Sequence, residues 1–203
     1  MAIKSLQHSS LTDNIFYRSL LAGNAAFDPS DEDILAEQVL SSSAASVTFS
    51  GLDTLAAGYQ HLQIRALTRN DGSGTTSSTT RLLLRFNGDT AGNYSTHSLF
   101  ARGSSVVSTA ATNNADIWVS TDDISTGATA NAFQASVLDI LDPFETTKYT
   151  TVRALAGFAA SHNYIGLNSG SWRNTTAITS ITYLPASASN FLTGSTFTLI
   201  GVK

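Results

Sequence analysis

The chain has 203 residues, of which only 13% are charged, and its formal net charge at pH 7 is -4. That length suits one well-buried β domain, and the low charge leaves a surface of hydroxyl and amide side chains. Scattered basic residues and a net negative charge argue against nucleic-acid binding, which needs clustered Lys and Arg. Cysteine is absent, which excludes disulfides, Cys-based zinc sites and thiol catalysis. No apolar run is long enough to span a membrane, so we expect a soluble protein without membrane insertion.

The first 33 residues differ from the rest of the chain. Large apolar residues alternate irregularly with polar ones, and only a short helical turn is predicted, with Asp13 as its N-cap. The segment holds more large apolar side chains than a disordered tail normally does. We therefore predict that it is an attachment arm, which lies on its own domain or on another chain. The predicted attachment residues are Ile15, Phe16, Tyr17, Leu20, Leu21 and Phe27.

An acidic hinge is predicted at residues 28–33, DPSDED. Closely spaced carboxylates could also bind calcium, but the segment lacks the Gly and the distal Glu of an EF-hand loop. A solvated linker is the favoured interpretation. The expected organisation is therefore an N-terminal arm and hinge at 1–33, followed by one β domain at 34–203.

From Ile34 to the end, short apolar runs separated by Gly, Asn, Asp and Ser predict strands. Leu82, Leu84 and Phe86 should face the core, with the residues between them on the other face, and the NGD sequence at 87–89 should turn the chain. Segments 70–80 and 102–114 are interpreted as loops. The predicted strands are 34–40, 46–49, 60–68, 81–86, 94–101, 116–119, 132–141, 150–158, 164–167, 177–183 and 196–202. This spacing predicts an all-β fold, a single antiparallel β-sandwich that is jelly-roll-like.

Catalytic and metal-binding patterns are weak. Asp139, Asp142 and Glu145 are the best local carboxylate set for a glycosidase, but Asp142 precedes a proline and is more typical of a turn. No serine lies in a G-x-S-x-G elbow. The histidines are far apart in sequence and give no metal-ligand spacing; they are His8, His61, His97 and His162. We expect no enzyme activity, no cofactor and no metal site.

Aromatic residues are the best candidates for ligand contact. Trp172 lies near a Gly-rich and Asn-rich segment, which favours exposure, and with Tyr164 and Asn174 it could contact a glycan by stacking and amide hydrogen bonds. Trp118 lies within a predicted strand, so core packing is the favoured interpretation there.

Five segments carry a family resemblance: RFNGDTAGNY at 85–94, SSSAASVTFSGL at 41–52, YQHLQIRA at 59–66, KYTTVRALAGF at 148–158 and SWRNTTAITSITYLP at 171–185. They resemble parts of small virion structural proteins of tailed bacteriophages, particularly phages of cyanobacteria and other aquatic bacteria. Because the segments are spread along the chain, the resemblance extends over most of it from about residue 34 onward.

This resemblance implies a non-enzymatic structural protein of the phage particle, assembled in the host cytoplasm and located in the virion. The β domain would be displayed outward, and the arm would bind the major capsid protein or a tail protein. A homotrimer is expected, because virion appendages of this type are often three-fold. A capsid decoration or knob protein is favoured by the compact domain without a fibre shaft. The alternative is a tail or fibre-tip adhesin that binds host-surface glycans.

Overall fold

The computed structural model of the chain describes residues 32–72, 80–160 and 163–203. All six predicted attachment residues lie outside these ranges, and so do His8 and His162. The described chain begins directly in a strand that includes Glu32 and Asp33. These two residues therefore belong to the β domain, although the sequence placed them in the acidic hinge.

Two antiparallel sheets pack against each other and confirm the predicted β-sandwich. In spatial order the large sheet contains β1 (Glu32–Val39), β12 (Thr196–Val202), β3 (His61–Thr68), β8 (Gln134–Leu141), β9 (Thr150–Ala159), β10 (Asn163–Trp172), β5 (Tyr94–Arg102) and β6 (Ser105–Asn114). The small sheet contains β2 (Val47–Ser50), β11 (Ser180–Pro185), β4 (Leu82–Phe86) and β7 (Ile117–Ser120). A single helical turn, α1 (Leu52–Leu55), follows β2.

Strand β4 has the predicted register. Leu82, Leu84 and Phe86 are fully buried between the sheets, whereas Arg85 on the opposite face is half-buried. The chain then reverses at Asn87, whose φ of 52° is in the left-handed region that Asn tolerates better than most residues. The local pattern of apolar and turn residues is therefore sufficient to build this part of the small sheet.

Two segments outside the predicted strands are strands in the structure. Residues 105–114 form β6, which pairs with β5 along its whole length, so the interpretation of 102–114 as a loop is wrong. Strand β10 continues through the Gly-rich segment to Trp172. Glycine is required there, since a Cβ at Gly170 would lie 2.5 Å from the Ile117 side chain of the facing sheet. Long-range pairing, which local composition does not report, stabilises both strands.

Candidate interaction surface

The aromatic residues proposed to contact a glycan are buried. Trp172 is 1% exposed and its Nε1 donates a hydrogen bond of 2.8 Å to Asp89, so the expectation of an exposed ring is wrong. Tyr164 is also buried, and its hydroxyl accepts a hydrogen bond from the Thr121 backbone N–H. Asn174 is half-buried and caps the following turn by accepting a hydrogen bond from the backbone N–H two residues on. Neither ring offers a face on which a sugar could stack.

Trp118 lies on the outer face of the small sheet and not in the core. Its neighbours Ile117 and Val119 point inward and are buried, as the two-residue period of a strand requires. The Arg81 guanidinium lies 4.2 Å from the centroid of the Trp118 ring, a cation–π contact that covers much of the ring. The expectation of core packing for Trp118 is therefore wrong.

Two of the three carboxylates of the glycosidase hypothesis, Asp139 and Asp142, form ion pairs, and Glu145 accepts a hydrogen bond from the Thr147 hydroxyl. Burial acts to raise the pKa of Asp139, but hydrogen bonds from Gln63 and Arg153 hold it below its usual value. A hydrogen bond from Lys148 likewise lowers the pKa of Asp142. A glycosidase acid needs a raised pKa, which neither group has.

Histidines and acidic residues do not cluster into a metal site within the described ranges. His61 accepts a hydrogen bond of 3.0 Å from the Asp142 backbone N–H at one end of the large sheet. His97 lies on the outer face, where its Nε2 is 3.1 Å from the Ser108 hydroxyl. Both histidines within the described residues therefore have a local structural partner.

The outer face of the large sheet, which points away from the small sheet, carries a group of exposed aliphatic side chains. We call this group the outer apolar face. Its members expose between 39% and 71% of their surface. They are Leu67, Leu99, Val106, Val137, Leu155, Ile165 and Leu167.

Strand register places these side chains side by side. Val137 pairs with Leu155, Leu155 with Leu167, and Leu167 with Leu99, so one apolar row crosses four neighbouring strands. The adjacent row contains Ile165 and small residues of the neighbouring strands. Directly opposed Cβ atoms lie about 5 Å apart in antiparallel sheets. The outer apolar face is therefore one continuous patch and not a scatter of single residues.

A depression of about 520 Å³ lies along the apolar row. Leu99, Val137, Leu155 and Leu167 line it on one side, and its polar border includes the ion pair between Asp139 and Arg153. Continuous exposed apolar patches of this kind typically mark a contact with another molecule. Covering the exposed half of each aliphatic side chain is worth about 1 kcal/mol, so a partner that covered several of them would gain a substantial free energy of binding.

Sequence reasoning missed this surface, although a signal was present. In β10 the aliphatic residues Ile165 and Leu167 point outward, while Tyr164, Gly166 and Asn168 point inward. The alternation indicates two different faces, but the more hydrophobic face would ordinarily be assigned to the core. Here the inner face is filled by Tyr164, Trp172 and the facing sheet, so the aliphatic face is left outside.

Comparison with protein-family models, with curated proteins and with solved structures found no match. In the part of the chain that the structure describes, no helix is long and apolar enough to cross a membrane.

Proposed function

We propose that the chain is a non-enzymatic structural subunit of a tailed-bacteriophage particle, displayed on the capsid surface as a decoration or knob protein. The outer apolar face is the observation that carries this proposal, because a continuous exposed apolar patch typically marks a contact with another molecule. Its occupant is a sister copy of the chain, and three copies associate through it. The arm at 1–33 fixes the assembly to the particle.

Two features support contact between copies. The outer apolar face is continuous, so contact between copies would remove apolar surface from water, with Arg65 opposite Val137 and the ion pair between Asp139 and Arg153 at its border. The whole chain carries few charges to keep copies apart. The resemblance to small phage virion proteins is the reason for proposing that this assembly belongs to a phage particle. Burial of Trp172 and Tyr164 leaves the tail-adhesin alternative without the two stacking rings that the sequence suggested for it.

The test replaces Leu155, at the centre of the apolar row, with lysine. Leu155 is 48% exposed on the outer face, so the domain should still fold while the charge opposes contact between copies. We expect the wild-type chain to have the mass of a trimer, or of two trimers that a second contact joins, in size-exclusion chromatography with multi-angle light scattering. Leu155→Lys should lose the three-fold association and have a smaller mass at the same concentration.

Leu55→Lys is the matched control, because Leu55 is 40% exposed in α1, outside the large sheet. This variant should keep the wild-type mass. A monomeric wild-type chain, or a Leu155→Lys variant that keeps the wild-type mass, would contradict the proposed interface. Counting copies per purified phage particle tests the location, since a capsid decoration protein is present in far more copies than a tail-tip protein.

A further inference from the structure

The two edge strands of the large sheet differ in how they are protected. Strand β1 carries Glu32, Asp33 and Glu37, and its pairing register shifts between Ile34 and Ala36. Charges and bulges of this kind prevent an edge strand from pairing with another chain. Strand β6 at the opposite edge reads SVVSTAATNN, with no charged residue and no proline, and its register shift lies at Asn113, so residues 105–112 are regular. Its edge is therefore open to a further strand.

The hairpin that joins β5 and β6 decides which backbone groups face outward. Arg102 pairs with Ser105 across a two-residue turn, so these two residues form a hydrogen-bonded pair. Alternate residues of β6 then direct their N–H and C=O groups away from β5. The outward residues are Val106, Ser108, Ala110 and Thr112. In the described chain, no strand lies beyond them.

We propose that β6 binds β6 of a second copy of this chain, antiparallel and around a two-fold axis at Thr109, so that the large sheet continues from one copy into the next. An axis at Thr109 pairs Ser108 with Ala110 and Val106 with Thr112. With this axis, the backbone N–H and C=O groups of all four outward residues form hydrogen bonds to the second copy. If the axis were shifted along the strand, some of these groups would have no partner.

Charge pattern favours β6 itself as the partner. Across a two-fold axis every residue lies opposite a residue of the same strand, so any charge near the axis would approach its own copy. Strand β6 carries none. Thr109 would lie directly opposite its copy, and opposed threonines are favourable cross-strand pairs. This contact is separate from the proposed contact through the outer apolar face.

A cysteine cross-link tests the axis directly, since the natural chain contains no cysteine. Thr109 would form a non-hydrogen-bonded pair with its copy, with a Cα–Cα distance of about 4.5 Å, within the range that a disulfide bridges. We expect full-length Thr109→Cys to form a disulfide-linked dimer under mild oxidation. Ala111→Cys is the matched control, because residue 111 lies two positions along the same face and would be about 14 Å from its copy.

A second pair of variants tests the hydrogen bonds. Ala110→Pro removes an outward N–H without removing a bond to β5, whereas Ala110→Val keeps that N–H. In the Thr109→Cys background we expect Ala110→Pro to slow cross-linking at least tenfold and Ala110→Val to leave it near the parent rate. Equal cross-linking at 109 and 111, no cross-linking at 109, or no effect of Ala110→Pro would overturn the inference.

Leu155→Lys in the Thr109→Cys background separates the two contacts. Cross-linking should persist in this variant, because β10 and β5 lie between Leu155 in β9 and strand β6, so Leu155 takes no part in pairing between β6 strands. Loss of cross-linking with Leu155→Lys would overturn the inference, since it would show that residue 109 approaches its copy only through the outer apolar face. A trimer that shows no cross-linking at 109 would refute the β6 contact while leaving the proposed function standing.

Discussion

Phe86→Ala should be among the most damaging single substitutions in the domain. Phe86 is fully buried, its ring centroid lies 5.6 Å from that of Trp172, and its backbone N–H donates to the Tyr94 hydroxyl. Truncation removes the ring and leaves a cavity between the two sheets. The expected loss in free energy of unfolding is about 3 to 5 kcal/mol, from the lost transfer free energy and the cavity together.

Thermal unfolding followed by circular dichroism measures this loss. For a domain of about 200 residues, each kcal/mol lowers Tm by roughly 2 to 4 °C, so Phe86→Ala should lower Tm by about 10 °C. Arg85→Ala is the control on the opposite face of β4. Its guanidinium lies 3.4 Å from Asp116 and is partly exposed, so the expected cost is about 1 kcal/mol or less. If Arg85→Ala lowered Tm more than Phe86→Ala, the register of β4 and the core built on it would be wrong.

Asp123 should make the domain less stable as pH rises from about 4 to 7. Burial raises the pKa of this carboxyl to about 7, despite hydrogen bonds from Asn70 and the Ile124 backbone, so the folded state holds a proton that the unfolded state releases. The difference between this pKa and the ordinary value of 3.8 corresponds to a loss of about 4 kcal/mol in the free energy of unfolding. In urea unfolding, the free energy of unfolding of Asp123→Asn should change less with pH than that of the wild type. Parallel pH dependences of the two proteins would refute this assignment. Deleting residues 1–27 should leave the far-UV circular dichroism of the β domain unchanged while abolishing incorporation into particles. Unfolding of the truncated chain would instead assign the arm to the domain's own core.

Local sequence was sufficient where neighbouring residues decide the structure. Alternation in β4 placed Leu82, Leu84 and Phe86 in the core, and the Asn-Gly-Asp sequence at 87–89 ended the strand in a turn. Both depend on interactions within a few residues: the two-residue side-chain period and the tolerance of Asn and Gly for positive φ. The β-sandwich class follows from many such strands separated by turn residues.

Tertiary structure alone decided which face of each strand is covered. In β10 the aliphatic residues Ile165 and Leu167 point outward, while Trp172 is enclosed by Phe86, Tyr94 and its hydrogen bond to Asp89. The two-residue side-chain period separates the two faces of a strand, but the facing sheet determines which of these faces is buried. Strand β6 likewise forms because β5 pairs with it, since its Val and Thr residues, which favour strands, are mixed with Ala and Asn, which do not. The outer apolar face and the open edge both arise from these long-range pairings, which is why neither could be located from the sequence.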